Sequence, residues 1–108
     1  MNKTDLERTI EKIERKIRAL ARAQVPGANV FSFGATEIDP KHLAIWITTN
    51  KDQQRDALRN DCDFHSSLVS VLRDEGYPAD AISQVAFAFE SEETVQRDYE
   101  GNWWYVVK

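Results

Sequence analysis

Apolar side chains recur at Leu6, Ile10, Ile13, Ile17 and Leu20, spaced alternately four and three residues apart. That spacing gathers them on one narrow stripe of a helix. Thr4-Asp5-Leu6-Glu7 has the form of a capping box that opens it. Val25-Pro26-Gly27 predicts its end near Ala23 or Gln24, because the residue before proline is biased out of helical geometry. The stripe also fits a heptad but runs little beyond two repeats, where a coiled coil sustains about three or four. Packing against a sheet is the expectation.

The pattern then changes period. Val30 to Ile38 alternates as a strand, Asp39-Pro40-Lys41 is a turn, and His42 to Thr49 is apolar at consecutive positions. The last run predicts a central strand, flanked by other strands and covered on much of both faces. Thr49 or Asn50 can cap a second helix, with Asp52 in its first turn and Leu58, Cys62, His65, Leu68, Val69 and Leu72 on its inner face. Gly76 followed by Tyr77 and Pro78 is its stop. After a connection over residues 79–83, Val85 to Phe89 predicts a third strand, residues 91–99 a short helix, and Trp103 to Val107 a fourth strand after a turn at Glu100-Gly101-Asn102.

The resulting order, α-β-β-α-β-β, predicts a single α+β domain over residues 1–108: a two-layer sandwich in which two main helices cover one face of a four-stranded antiparallel sheet of order 1-2-4-3. This is the layout of a circularly permuted ferredoxin-like fold, with the two most apolar strands in the middle.

If Phe31, Phe33, Leu43, Ile45, Ile47, Val85, Phe87 and Phe89 face the helices, period two sends Ser32, Gly34, Thr36, Ala44, Trp46, Thr48, Ala86 and Ala88 to the open face. Trp104 or Trp103 joins them, with the Tyr105 ring beside it. Trp46, Thr48, Thr36, Trp104 and Tyr105 are therefore the candidate residues for binding a partner or ligand. An apolar patch of this kind on a small protein marks an interaction surface. A second copy of the chain, sheet against sheet, is its simplest occupant. A small molecule in a pocket, or nucleic-acid bases stacked on the rings, is the alternative.

Composition narrows the classes. With 42% apolar and 30% charged residues, the chain has the balance of an ordinary globular protein. No apolar run approaches the roughly 20 residues of a membrane span, and the N-terminus lacks the apolar stretch of a signal peptide, so a cytoplasmic, membrane-free protein is expected. Of the 14 basic and 18 acidic side chains, residues 1–24 carry seven and four, leaving seven basic against 14 acidic on the rest. An acidic body is ill suited to nucleic acid and suits a basic protein partner. Arg15, Lys16, Arg18 and Arg22 could meet phosphate, but mixed charge on a helix is ordinarily its solvated side.

Chemistry is sparse. Cys62 and His65 share a helical face as two metal ligands would, yet there is no second cysteine and only one other histidine, His42. Two ligands are half a zinc site, and a core thiol with a core-edge imidazole is the commoner meaning of such a pair. A Cys-His-Asp nucleophile on one helix face fails for the same reason. The carboxylates fall in no acid–base spacing, and the four glycines are too scattered for a phosphate loop. No catalytic residue, metal or cofactor is expected.

Two functions follow as expectations. One is a small, bacterial-type, non-enzymatic interaction protein that works as a homodimer or binds a basic partner, as an immunity protein neutralises a toxin. The other is a ligand-binding protein or enzyme that uses the aromatic sheet face.

Overall fold

The computed structural model describes residues 5–36 and 38–107. Thr4, half of the expected capping box, and Glu37, within the expected first strand, lie outside them. Helix α1 spans Asp5–Gln24, ending where the Val25-Pro26-Gly27 signal placed it. Its stripe faces inward as the spacing required. Ile13, Ile17 and Ala21 are buried, while Leu6, Ile10 and Leu20 pack at the margin of the core. The helix lies on the sheet and on a later helix, so its stripe is used within the chain.

Three strands form the sheet: β1 (Asn29–Phe33), β2 (Ala44–Thr49) and β3 (Ala86–Ser91), in the order β1-β2-β3. The pairing corrects the expected four-stranded antiparallel sheet of order 1-2-4-3, and with it the ferredoxin-like layout. β1 and β2 are antiparallel, but β2 and β3 are parallel. Between β2 and β3 the chain crosses over through α2 (Asp52–Arg59), α3 (Cys62–Asp74) and α4 (Ala79–Ile82), then re-enters the sheet from the same end. Parallel neighbours require such a crossover. Of the strand expected from His42 to Thr49, Ala44–Thr49 is the middle strand β2, with Leu43, Ile45 and Ile47 at most 2% exposed, whereas His42 ends a short 3-10 helix over Pro40–His42.

The expected fourth strand is a helix. After α5 (Glu92–Asp98), Trp103–Val107 forms α6, five residues long. Asn102 opens it: its side-chain oxygen accepts from the Trp104 N–H at 2.9 Å, and its carbonyl accepts from the Tyr105 N–H at 3.1 Å. A short run of aromatic and β-branched residues is ambiguous between helix and strand, and a strand needs an open edge. Side chains already bond backbone groups on both edges. On β1, Arg18 Nη2 donates to Val30 O at 2.8 Å and Asn29 Oδ1 accepts from the Val30 N–H at 2.9 Å. Beside it Arg22 Nε donates to Ala28 O at 2.8 Å. On β3, Arg59 Nη2 donates to Phe89 O at 2.9 Å. Two of the arginines read as solvated or phosphate-facing thus hold the sheet edge, and Lys16 pairs with Glu75.

The expected second helix is two. Asn60 closes α2, and Asp61 caps α3 by accepting from the Phe64 N–H at 3.0 Å. The break resets the helical phase, so Phe64 takes an inward position and Cys62, expected on the inner face, is exposed. Gly76 ends α3 at φ 81°, and the Tyr77 N–H returns to Leu72 O at 3.0 Å with the Tyr77 ring buried. That termination was legible in Gly76-Tyr77-Pro78.

Candidate functional site

Cross-strand partners in a sheet share a face, so register assigns the sides directly. Val30, Ile47 and Phe89 form one row, and Ser32, Ile45 and Phe87 the next. These rows face the helices. Ile45 and Ile47 are fully buried, and Ser32 Oγ donates to Glu14 Oε1 on α1 at 2.6 Å. The interleaved rows are Phe31, Trp46 and Ala88, then Phe33, Ala44 and Ala86. They make the other face.

This corrects the expected phase of β1. Phe31 and Phe33 stand on the open face and Ser32 on the helix face. A one-residue choice of which side Val30 takes exchanges every side chain of a strand, and Val30 is buried. The exchange enriches the candidate surface. Phe33, Phe31 and Trp46 form a continuous aromatic row, with centroids 6.2 Å apart between the two phenyl rings and 6.0 Å between Phe31 and the indole. The planes are inclined by 17° and 3°. Trp103, from α6, stands edge-on to Phe31 at 6.1 Å and 86°. Its indole Nε1 donates to Glu92 Oε1, on the first turn of α5, at 2.8 Å.

Of the expected site residues, Trp46 is in this row, stacked on its central ring, Phe31. Trp104 and Tyr105 lie one and two positions along α6 from Trp103 and are 64% and 54% exposed. Thr48 is buried, its hydroxyl donating to Asn29 O at 3.4 Å, and is not presented to a partner. Thr36 is away from the row's centre, in a cleft of about 300 Å3 between α1 and the end of β1. Glu7, Glu11, Glu14 and Phe33 also line that cleft. Carboxylates therefore lie at two places along the aromatic face, the three glutamates in the cleft at Phe33 and Glu92 on the Trp103 ring that meets Phe31. Phe31, Phe33 and Glu92 were not among the expected site residues, and Trp103 was expected only as the alternative to Trp104. The signal for the first two was Val30, whose apolar side chain competes with its neighbours for the core face.

A second polar assembly joins α2, β3 and α5. Asp52 Oδ1 accepts from the Ser91 hydroxyl and from Thr94 Oγ1 at 2.6 Å, and Oδ2 accepts from Arg97 Nη1 at 3.0 Å. Arg55 Nη1 donates to Glu90 Oε1 and to Thr94 Oγ1, both at 2.8 Å. Ser91 also caps α5, accepting from the Thr94 N–H at 3.1 Å. Ser91 is fully buried, so its hydroxyl is committed to the fold and does not meet a substrate.

The donors on Asp52, Ser91 first, then Thr94 and Arg97, hold its carboxyl well below the ordinary carboxylate range. Its unfolded value is near the usual 3.9. A carboxyl lowered on folding contributes stability above that value and loses it as pH falls toward the folded one. Melting temperature is therefore expected to drop from about pH 5 downward. Asp52→Asn should lower it at pH 7 and flatten the profile between about pH 5 and 2. A variant with the wild-type acid slope would show that Asp52 does not contribute it; thermal melts across the range decide.

His65 Nε2 lies 2.8 Å from Arg59 O, and its ring is tilted against Phe89 at 5.2 Å. With Cys62 exposed, the two do not form a shared inner-face pair. Among the described residues no group of three or more His, Cys, Asp or Glu side chains is placed to hold a metal ion, and no helix is long and apolar enough to cross a membrane. No family model matches this sequence, and neither a curated protein nor a solved structure resembles it significantly.

Proposed function

We propose that this is a non-enzymatic interaction protein whose working surface is the aromatic face of its sheet, and that the face takes a basic protein partner. The observation that carries this reading is the stacked row Phe33-Phe31-Trp46 with carboxylates near it, Glu7, Glu11 and Glu14 lining the cleft at Phe33 and Glu92 bonded to the Trp103 ring that meets Phe31. Rigid aromatic rings supply contact area at small entropic cost, and the flanking carboxylates favour a partner of opposite sign. The bonded backbone groups on both edge strands favour contact across the face over addition of a strand.

Self-association is the second reading, supported by the exposure of Trp104 and Tyr105 beside the row. Light scattering over a concentration series at low and high salt separates the two. A mass near 12.4 kDa throughout is expected, leaving the face open for its partner. A salt-resistant mass of twice that value, reduced to monomer by Trp46→Ala with the fold intact, would make a second copy the occupant and overturn the basic-partner reading.

A further inference from the structure

We propose that Trp103 is a tethered stand-in for the partner's anchoring side chain, and that the seat it fills, the Phe31 ring beside Trp46 and the Glu92 carboxylate, is a binding site for an arginine guanidinium. The proposal rests on the reading of the aromatic face given above and names the group that face receives.

Three observations carry it. The seat pairs an aromatic plane with an acceptor, and its present occupant is a planar group that meets Phe31 at 6.1 Å and donates one N–H to Glu92. A guanidinium is also planar, packs against aromatic rings and donates N–H groups, and it adds a full positive charge opposite the carboxylate. The exchange replaces a neutral donor with a charge-assisted pair, the stronger kind of hydrogen bond.

The occupant is also lightly held. No residue of α6 is buried. Among the described residues, the hydrogen bond and the ring contact that join its side chains to the rest of the protein are both made by Trp103. The segment before it turns through two consecutive residues at positive φ, Glu100 at 54° and Gly101 at 75°. That turn closes α5 with its own backbone bonds, Gly101 N–H to Val95 O at 2.9 Å and Asn102 N–H to Tyr99 O at 2.9 Å, so α5 and Glu92 keep their places when α6 moves. Finally, the chain as a whole carries a net charge of −4, which favours the approach of a cationic segment.

The test is titration of the full chain with acetylated hexa-arginine amide, with hexa-lysine and hexa-citrulline as comparison peptides, followed by calorimetry and tryptophan fluorescence. Hexa-arginine is expected to bind more tightly than hexa-lysine, with hexa-citrulline weakest. Glu92→Gln should weaken the arginine peptide about tenfold, the loss of one charge-assisted contact. Asp63→Asn, an exposed acid on α3, should change it less than twofold. Trp103→Ala removes the competitor and should strengthen binding several-fold; Trp103→Phe, which keeps a ring and lacks the N–H, should fall between and serves if the alanine variant does not fold.

Equal binding of the arginine and lysine peptides, equal losses in Glu92→Gln and Asp63→Asn, or no gain on replacing Trp103 would overturn the proposal, as would absence of binding. None of these results touches the wider reading, which stands or falls on the mass measurement and its dependence on Trp46.

Discussion

Ile47→Ala is expected to destabilise the protein by about 2–5 kcal/mol, the range for truncating a fully buried aliphatic side chain in a packed core. Ile47 lies in the middle strand with Val30 across on one side and Phe89 on the other, and it has no exposed surface. Truncation leaves a cavity walled by two strands whose hydrogen bonds hold them at fixed spacing, so the walls cannot close over it. Domains of this size are stable by only about 5–15 kcal/mol, so the loss is a large share of the total. Urea unfolding should show a lower midpoint with an unchanged slope. The adjacent Trp46→Ala removes a larger side chain, but from the half-exposed face, and should cost less than Ile47→Ala. The reverse ranking would mean that the two faces of β2 are assigned the wrong way round, and with them the proposed site.

Gly34→Ala should be comparably severe, about 3 kcal/mol or more, for a different reason. Gly34 has φ 132°, a conformation essentially confined to glycine, and a Cβ there would lie 2.0 Å from His42 O. That atom belongs to the backbone, so relief requires the end of β1 and the Pro40–His42 turn to move apart. Such a movement would disturb both Phe33 and the Thr36 cleft. Gly76 is the internal comparison. It also has a positive φ, 81°, but an added Cβ would meet nothing within 4 Å. Gly76→Ala should therefore cost only about 1 kcal/mol, the left-handed penalty without a clash. Thermal melts of the two variants decide: equal losses would show that the contact at Gly34 relaxes freely.

How much of this could be read from the chain depended on whether the deciding interaction was local. Helix α1 was legible because its stripe runs from Leu6 to Leu20 and Val25-Pro26-Gly27 stops it. The end of α3 at Gly76 and the cap of α5 at Ser91 were legible for the same reason: each is made by residues within a turn of one another. The apolar continuity within His42 to Thr49 likewise marked a strand with neighbours on both sides, which the structure starts at Ala44.

Tertiary structure alone decided the rest. Trp103–Val107 has β-rich composition, but a strand exists only by pairing, and Asn102 supplies a helical start beside edges whose backbone groups are partly bonded already. The direction of β3 could not come from its own residues, because the same alternation serves parallel and antiparallel neighbours. The face presented by Phe31 and Phe33 depended on which side Val30 buried. That is a competition among apolar neighbours within one strand, settled only when α1 lay across it. So the chain by itself determined the first helix, the middle strand and the locally made helix ends, and that one sheet face would carry aromatic residues. Long-range pairing chose which aromatics these are and set Trp103 and Glu92 against them, because register and topology are properties of contacts between segments distant in sequence.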